Sequence, residues 1–93
     1  MVAVVREQDV VEEHLQRLGA ALRDARVKLN LTQGEVGERA GVSRQLVSRI
    51  EQGLNGEISA YVAVASALQL RLALVEEIGA PADDSINAQF RLI

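Results

Sequence analysis

Apolar residues at Val11, Leu15, Leu18, Leu22, Ala25 and Leu29 recur at steps of four and three, the spacing of one buried stripe on an α-helix. Asp9 with Glu12 three positions on reads as a capping box, so a first helix is predicted over about residues 10–29. The stripe lasts under three heptads and contains Gly19, which favours a core-facing helix over a coiled coil. Thr32 and Glu35 repeat the capping-box spacing, and Gly41 suits the left-handed residue that ends a helix. A short helix follows over residues 33–40. Ser43 then caps another, on which Val47 and Ile50 fall on one side with Leu46 at its edge, while Arg44, Gln45, Ser48, Arg49 and Gln52 occupy the other. Gly53 and Gly56 mark a loop. Beyond it Ile58, Tyr61, Val62, Ala65 and Leu68 predict a fourth amphipathic helix over about residues 57–68.

The period then changes from helical to alternating. In "LQLRLALVEEIG", Leu70, Leu72 and Leu74 alternate with Arg71, Ala73 and Val75, which suits a strand over about residues 70–76, with continued helix as the alternative. A strand needs a partner, and "MVAVV" at the start of the chain is the one candidate within it. Beyond Gly79, "APADDSINAQFRLI" opens polar and breaker-containing and ends on Phe90, Leu92 and Ile93, the composition of a flexible tail.

Composition changes this picture mainly by exclusion. Ninety-three residues make one small domain, and 48% apolar with 25% charged residues is globular. With no cysteine there is neither a disulfide framework nor a thiolate metal site, in keeping with a reducing cytosol. No run approaches the roughly 18 apolar residues of a membrane span, so a soluble cytoplasmic protein is expected. One histidine, His14, has no companion ligands, and no Gly-x-Ser-x-Gly or Walker loop is present. Catalytic residues, metal and cofactor are therefore all expected to be absent. Charge, by contrast, adds something. The chain carries a net −3, yet residues 17 to 49 hold seven bases against three acids, a local +4, and the flanks hold three bases against ten acids, or −7. A basic middle between acidic ends is the distribution of a phosphate-facing surface on an otherwise acidic protein.

Two short helices joined by a glycine turn, the second exposing polar side chains from its first turns, form a helix-turn-helix. The stretch "LTQGEVGERAGVSRQLVSRIEQG" resembles the lambda-repressor and Cro-like (xenobiotic-response-element) helix-turn-helix family, with its Thr-Gln, an apolar and then a small residue, Gly-Val-Ser, and Ile-Glu-x-Gly. The resemblance spans about residues 17 to 69. It implies a mainly α fold, a four- to five-helix Cro/repressor-like bundle with a short C-terminal β-strand pairing across a homodimer on a palindromic double-stranded operator. In the family's docking the positions of Arg44, Gln45 and Arg49 face base edges, with Ser48 and Leu46 secondary. Chemistry supports the transfer, since arginine makes bidentate contacts to guanine and glutamine to adenine. Thr32, Gln33, Gln52 and Asn55 match positions that hold phosphates, and Arg26 with Glu51 matches a pair that locks the reading helix to its scaffold. Gly37 stands where the family usually has alanine, a small residue that lets the two helices approach closely; Gly34 has no evident packing reason.

The implied organisation is an N-terminal extension (1–8), a helix-turn-helix domain (9–69), a dimerisation strand (70–78, with Leu70, Leu72 and Leu74 at the interface) and a flexible tail (79–93). A minimal domain running straight into an alternating segment looks like antitoxins whose helix-turn-helix continues into a dimerising strand. The tail and acidic flanks would then meet a toxin protein. A stand-alone phage-type or cellular repressor is the alternative within the class, and a protein-interaction module that has lost DNA binding is the alternative outside it.

Overall fold

The computed structural model describes residues 7–76, which form helices α1 (Glu7–Lys28), α2 (Gln33–Ala40), α3 (Arg44–Glu51) and α4 (Ile58–Ala67). The boundaries of α2 and α3 follow from local hydrogen bonding. Thr32 Oγ1 accepts from the Glu35 amide at 3.1 Å while Glu35 Oε1 accepts from the Thr32 amide at 3.0 Å, closing the expected box. Hydrogen bonding from the Thr32 amide, and then from the Thr32 side chain, favours the ionised carboxylate and holds Glu35 below its usual pKa. Ser43 Oγ likewise accepts from the Leu46 amide at 3.0 Å.

Every helix ends in the same way. A left-handed residue lies one or two positions past each C-terminus, at Asn30, Gly41, Gly53 and Gln69. The following amide reaches back to a carbonyl of the last turn: Leu31 to Arg26, Val42 to Gly37, Leu54 to Arg49 and Leu70 to Ala65, at 2.8 to 3.2 Å. These are Schellman motifs, which satisfy carbonyls that a helix end otherwise leaves without partners. At Gly41 and Gly53 the conformation carries no Cβ penalty.

The core is built from Leu22 of α1, Val36 of α2, Val47 and Ile50 of α3, and Tyr61, Val64, Ala65 and Leu68 around α4. α2 packs on α3 and α4, and α1 packs on α3. Tyr61 is buried as a ring but spends its hydroxyl on the Leu54 carbonyl at 2.6 Å, which ties the loop after α3 to α4. Burial also raises the Tyr61 pKa.

Several expectations need correction. α1 begins at Glu7, so Asp9 is inside the first turn and cannot cap it; Glu7 and Asp9 instead place negative charge at the helix N-terminus. The ends of the α1 stripe overrun the bundle, leaving Val11 at 45% and Leu29 at 47% exposure. On α4 the buried face contains Val64, not Val62 or Ile58, which are exposed. This helix, "ISAYVAVASA", is apolar nearly all round, so its period could not choose a face; packing chose Tyr61, Val64, Ala65 and Leu68, at spacings of three, four and seven. The helix does not continue past Ala67, because Gln69 turns left-handed at φ 64°. Residues 70–76 form no strand either. Leu72 packs against the core while Leu70 and Leu74 stay exposed, and a ladder has no second strand among the described residues. "MVAVV" and the tail with Phe90, Leu92 and Ile93 lie outside those residues. His14 is exposed on α1 with its ring against the Val10 carbonyl.

Candidate nucleic-acid interface

The turn between α2 and α3 is closed more tightly than small residues alone require. A β-carbon on Gly37 would stand 2.7 Å from the Val42 carbonyl oxygen, so even alanine would push the turn open. With Val47 and Ile50 fully buried, the rotation of α3 about its axis is set. Its opposite face must then point outward: Arg44, Gln45 and Arg49 are exposed and Ser48 is half-buried. These four side chains line one shallow depression together with Gln33 from α2. Leu46, the secondary candidate for a thymine methyl, is partly packed against the core.

The orientation of α3 is held from behind by an ion pair. Arg26 Nε donates to Glu51 Oε2 at 2.7 Å and Nη2 to Oε1 at 3.0 Å, with only 14% and 4% of the two side chains exposed. The remaining Arg26 nitrogen, Nη1, donates to the Leu31 carbonyl at 2.8 Å. Hydrogen bonding to Glu51 raises the Arg26 pKa against the opposing effect of burial, so the guanidinium stays charged. Sequence reasoning did not anticipate the third partner: Gln33 Nε2 donates to Glu51 Oε1 at 3.1 Å. A carboxylate only accepts, so the amide nitrogen must face it, and α1, α2 and α3 meet at one carboxylate. No signal in the sequence pairs residues 33 and 51, which are brought together by the close packing of α2 on α3.

The residues expected at phosphates fall on two sides. Thr32 and Gln33 border a depression that Gly34, Leu31, Arg26 and Arg44 complete. Gln52 and Asn55 lie in a separate one beside Gln8, Glu12 and Gln16 of α1. Gln52 Nε2 also donates to Ser48 Oγ at 3.1 Å, which couples the second group to the reading face. An α-helix is about 10 to 12 Å across with its side chains, the width of a major groove, so the eight-residue α3 can enter one.

Two capped helices at a glycine turn, the second bearing outward arginines and locked to the first helix of the bundle, define a helix-turn-helix unit. The chain belongs to the helix-turn-helix domain family, whose model matches residues 17–78. Membership supports a DNA-binding regulator and points away from an enzyme. A comparison with curated proteins gives no match. Among the described residues no helix is long and apolar enough to cross a membrane, and none of their His, Asp and Glu side chains group in threes as a metal site would need.

Proposed function

We propose that this chain is a sequence-specific transcriptional repressor that binds double-stranded DNA as a homodimer, reading bases with Arg44, Gln45 and Arg49, assisted by Ser48. The observation that carries this reading is the exposed depression on α3 where those side chains gather, opposite the buried Val47 and Ile50. Thr32, Gln33, Gln52 and Asn55 flank it and hold phosphates, which set register without reading sequence. No catalytic residue, cofactor or metal takes part, and the work is done in the cytoplasm at the nucleoid.

Arg49→Ala should weaken binding to the specific duplex by about 1 to 3 kcal/mol and relax preference at one base position. Gln52→Ala should weaken specific and random duplexes alike. Mobility shifts on the chain's own upstream region and on random DNA, each at two salt concentrations, separate these outcomes. Equal effects of both substitutions on both duplexes would refute the assignment.

The homodimer is supported by the exposed Leu70 and Leu74 on a segment whose backbone has no ladder of its own. Pairing of residues 70–76 with their copy across a twofold axis would satisfy that backbone and set two reading helices about 34 Å apart on one face of DNA. Leu74→Asp, at a side chain 94% exposed in the single chain, should reduce the sedimenting mass from dimer to monomer; an unchanged dimer rules this interface out. In its finer role the protein is the autorepressing antitoxin of a toxin-antitoxin pair, with the tail around Phe90, Leu92 and Ile93 folding onto the toxin. The layout of a minimal helix-turn-helix running into an alternating segment supports this. If no adjacent reading frame encodes a protein that is toxic alone and co-purifies with this one, the antitoxin role fails while the repressor reading stands.

A further inference from the structure

We infer that two copies of this chain meet on the outer face of α4, which packs antiparallel on α4 of the partner subunit across a twofold axis near the middle of the helix. This rests on the homodimer reading above and assigns it a surface outside residues 70–76. Exposure and composition disagree on α4. Of the whole chain 25% is charged, yet no residue from Ile58 to Leu70 carries a charge. Tyr61, Val64, Ala65 and Leu68 account for the inner face of this stretch. On the outer face Ile58, Val62 and Ser66 recur at steps of four, with Leu70 beyond them, and the three apolar members are 69, 46 and 44% exposed. Val62, Ser66, Gln69 and Leu70 border one depression with Arg71, so the face continues past the helix end. A helix that is apolar all round belongs inside a packed structure, and depletion of charge is what marks the centre of an interface.

The order of the residues selects a second copy as the occupant. Glu57 closes one end of the stretch with a negative charge and Arg71 the other with a positive one, and both are exposed. Reversed on itself about Val64, the stretch sets Glu57 against Arg71, Ile58 against Leu70, Ser59 against Gln69 and Val62 against Ser66. A twofold axis performs that reversal, and each pair then occurs twice. Opposite charges flank an uncharged centre, whereas parallel helices would bring like charges together. Gln69 gives an independent sign. Its φ of 64° is unfavourable for a residue with a β-carbon, and at the ends of α2 and α3 glycine takes this conformation. A glutamine kept there against the backbone preference presents a carboxamide beside the depression. The group both donates and accepts, so it can pair with the hydroxyl of Ser59 of the partner subunit.

Sedimentation equilibrium of the full chain without DNA tests this, and the wild type should sediment as a dimer. Val62→Asp places a charge at the centre of the interface and should raise the dimer Kd about a hundredfold, with an unchanged helical circular dichroism spectrum. Glu57→Arg and Arg71→Glu each set like charges together twice and should each weaken the dimer about tenfold. The double variant exchanges the two charges and should return to within about threefold of wild type. Gln69→Gly relaxes the backbone and should still weaken the dimer about tenfold, through two lost hydrogen bonds. A Val62→Asp chain that dimerises like the wild type overturns the inference and leaves residues 70–76 as the interface. A double charge variant no tighter than the singles overturns it as well. If Val62→Asp does not fold, the charge exchange decides alone. A wild-type chain that sediments as a monomer removes the homodimer reading itself, and this inference with it.

Discussion

Glu51→Ala should lower the unfolding free energy by about 3 kcal/mol, with a fall in melting temperature of about 15 °C for a domain of this size. The loss is large because the carboxylate is the meeting point of three helices. Its removal strands Arg26 Nε and Nη2 and the Gln33 amide, all of which donate to it. Arg26 is only 14% exposed, so water cannot fully replace the lost partner, and the guanidinium cannot escape by deprotonating. The cost is therefore that of leaving a mostly buried charge uncompensated. It does not measure the net worth of the pair. The double change Arg26→Met with Glu51→Leu tests this distinction: it should recover most of the loss, since apolar side chains of similar volume do not have to be stripped of water. Urea unfolding followed by circular dichroism gives both numbers. A loss below about 1 kcal/mol for Glu51→Ala would place the pair among ordinary surface contacts.

Gly19→Ala should cost a similar amount, about 3 kcal/mol, for a steric reason. Alanine would gain about 1 kcal/mol in helix propensity at this position. Against that, its β-carbon would stand 2.4 Å from the Ile50 carbonyl oxygen and 2.9 Å from that of Glu51. Both obstacles are backbone, so no side chain can swing aside. α1 would have to back away from the end of α3, opening the packing around Leu22 and Ile50 and stretching the Arg26–Glu51 bonds. A second close approach reinforces the first: a β-carbon on Gly53 would meet Gln16 Cα at 2.6 Å, on a residue already at φ 75°. The two contacts fix the same helix crossing. Gly19→Ala and Gly53→Ala should consequently combine less than additively, as residues in one packing unit do. Chemical denaturation of the single and double variants measures this. Unchanged stability in Gly19→Ala would mean that α1 does not lie this close to α3.

The amino-acid sequence by itself determined α2, α3 and the turn between them. Thr32 with Glu35, Gly41, and Ser43 are signals whose partners lie within three or four residues, so chain connectivity brings them together whatever the rest of the molecule does. The outward face of α3 was equally legible, because its apolar residues Val47 and Ile50, with Leu46 at the edge, fall on one side at helical spacing, and burying them leaves Arg44, Gln45 and Arg49 outside. Tertiary structure decided what depends on distant partners. The apolar sequence of α4 admitted several buried faces, and contact with α2 selected the one with Val64. Gly19 read only as a sign against a coiled coil, and the carbonyls of Ile50 and Glu51 that lie against it come from a distant part of the chain. Gln33 read as a phosphate contact, and the carboxylate that orients its amide lies eighteen residues away. The alternating segment over residues 70–76 shows the limit most clearly. Alternation specifies which side chains could share a face, but a strand exists only through hydrogen bonds to a second backbone, and the described residues of one chain do not supply it.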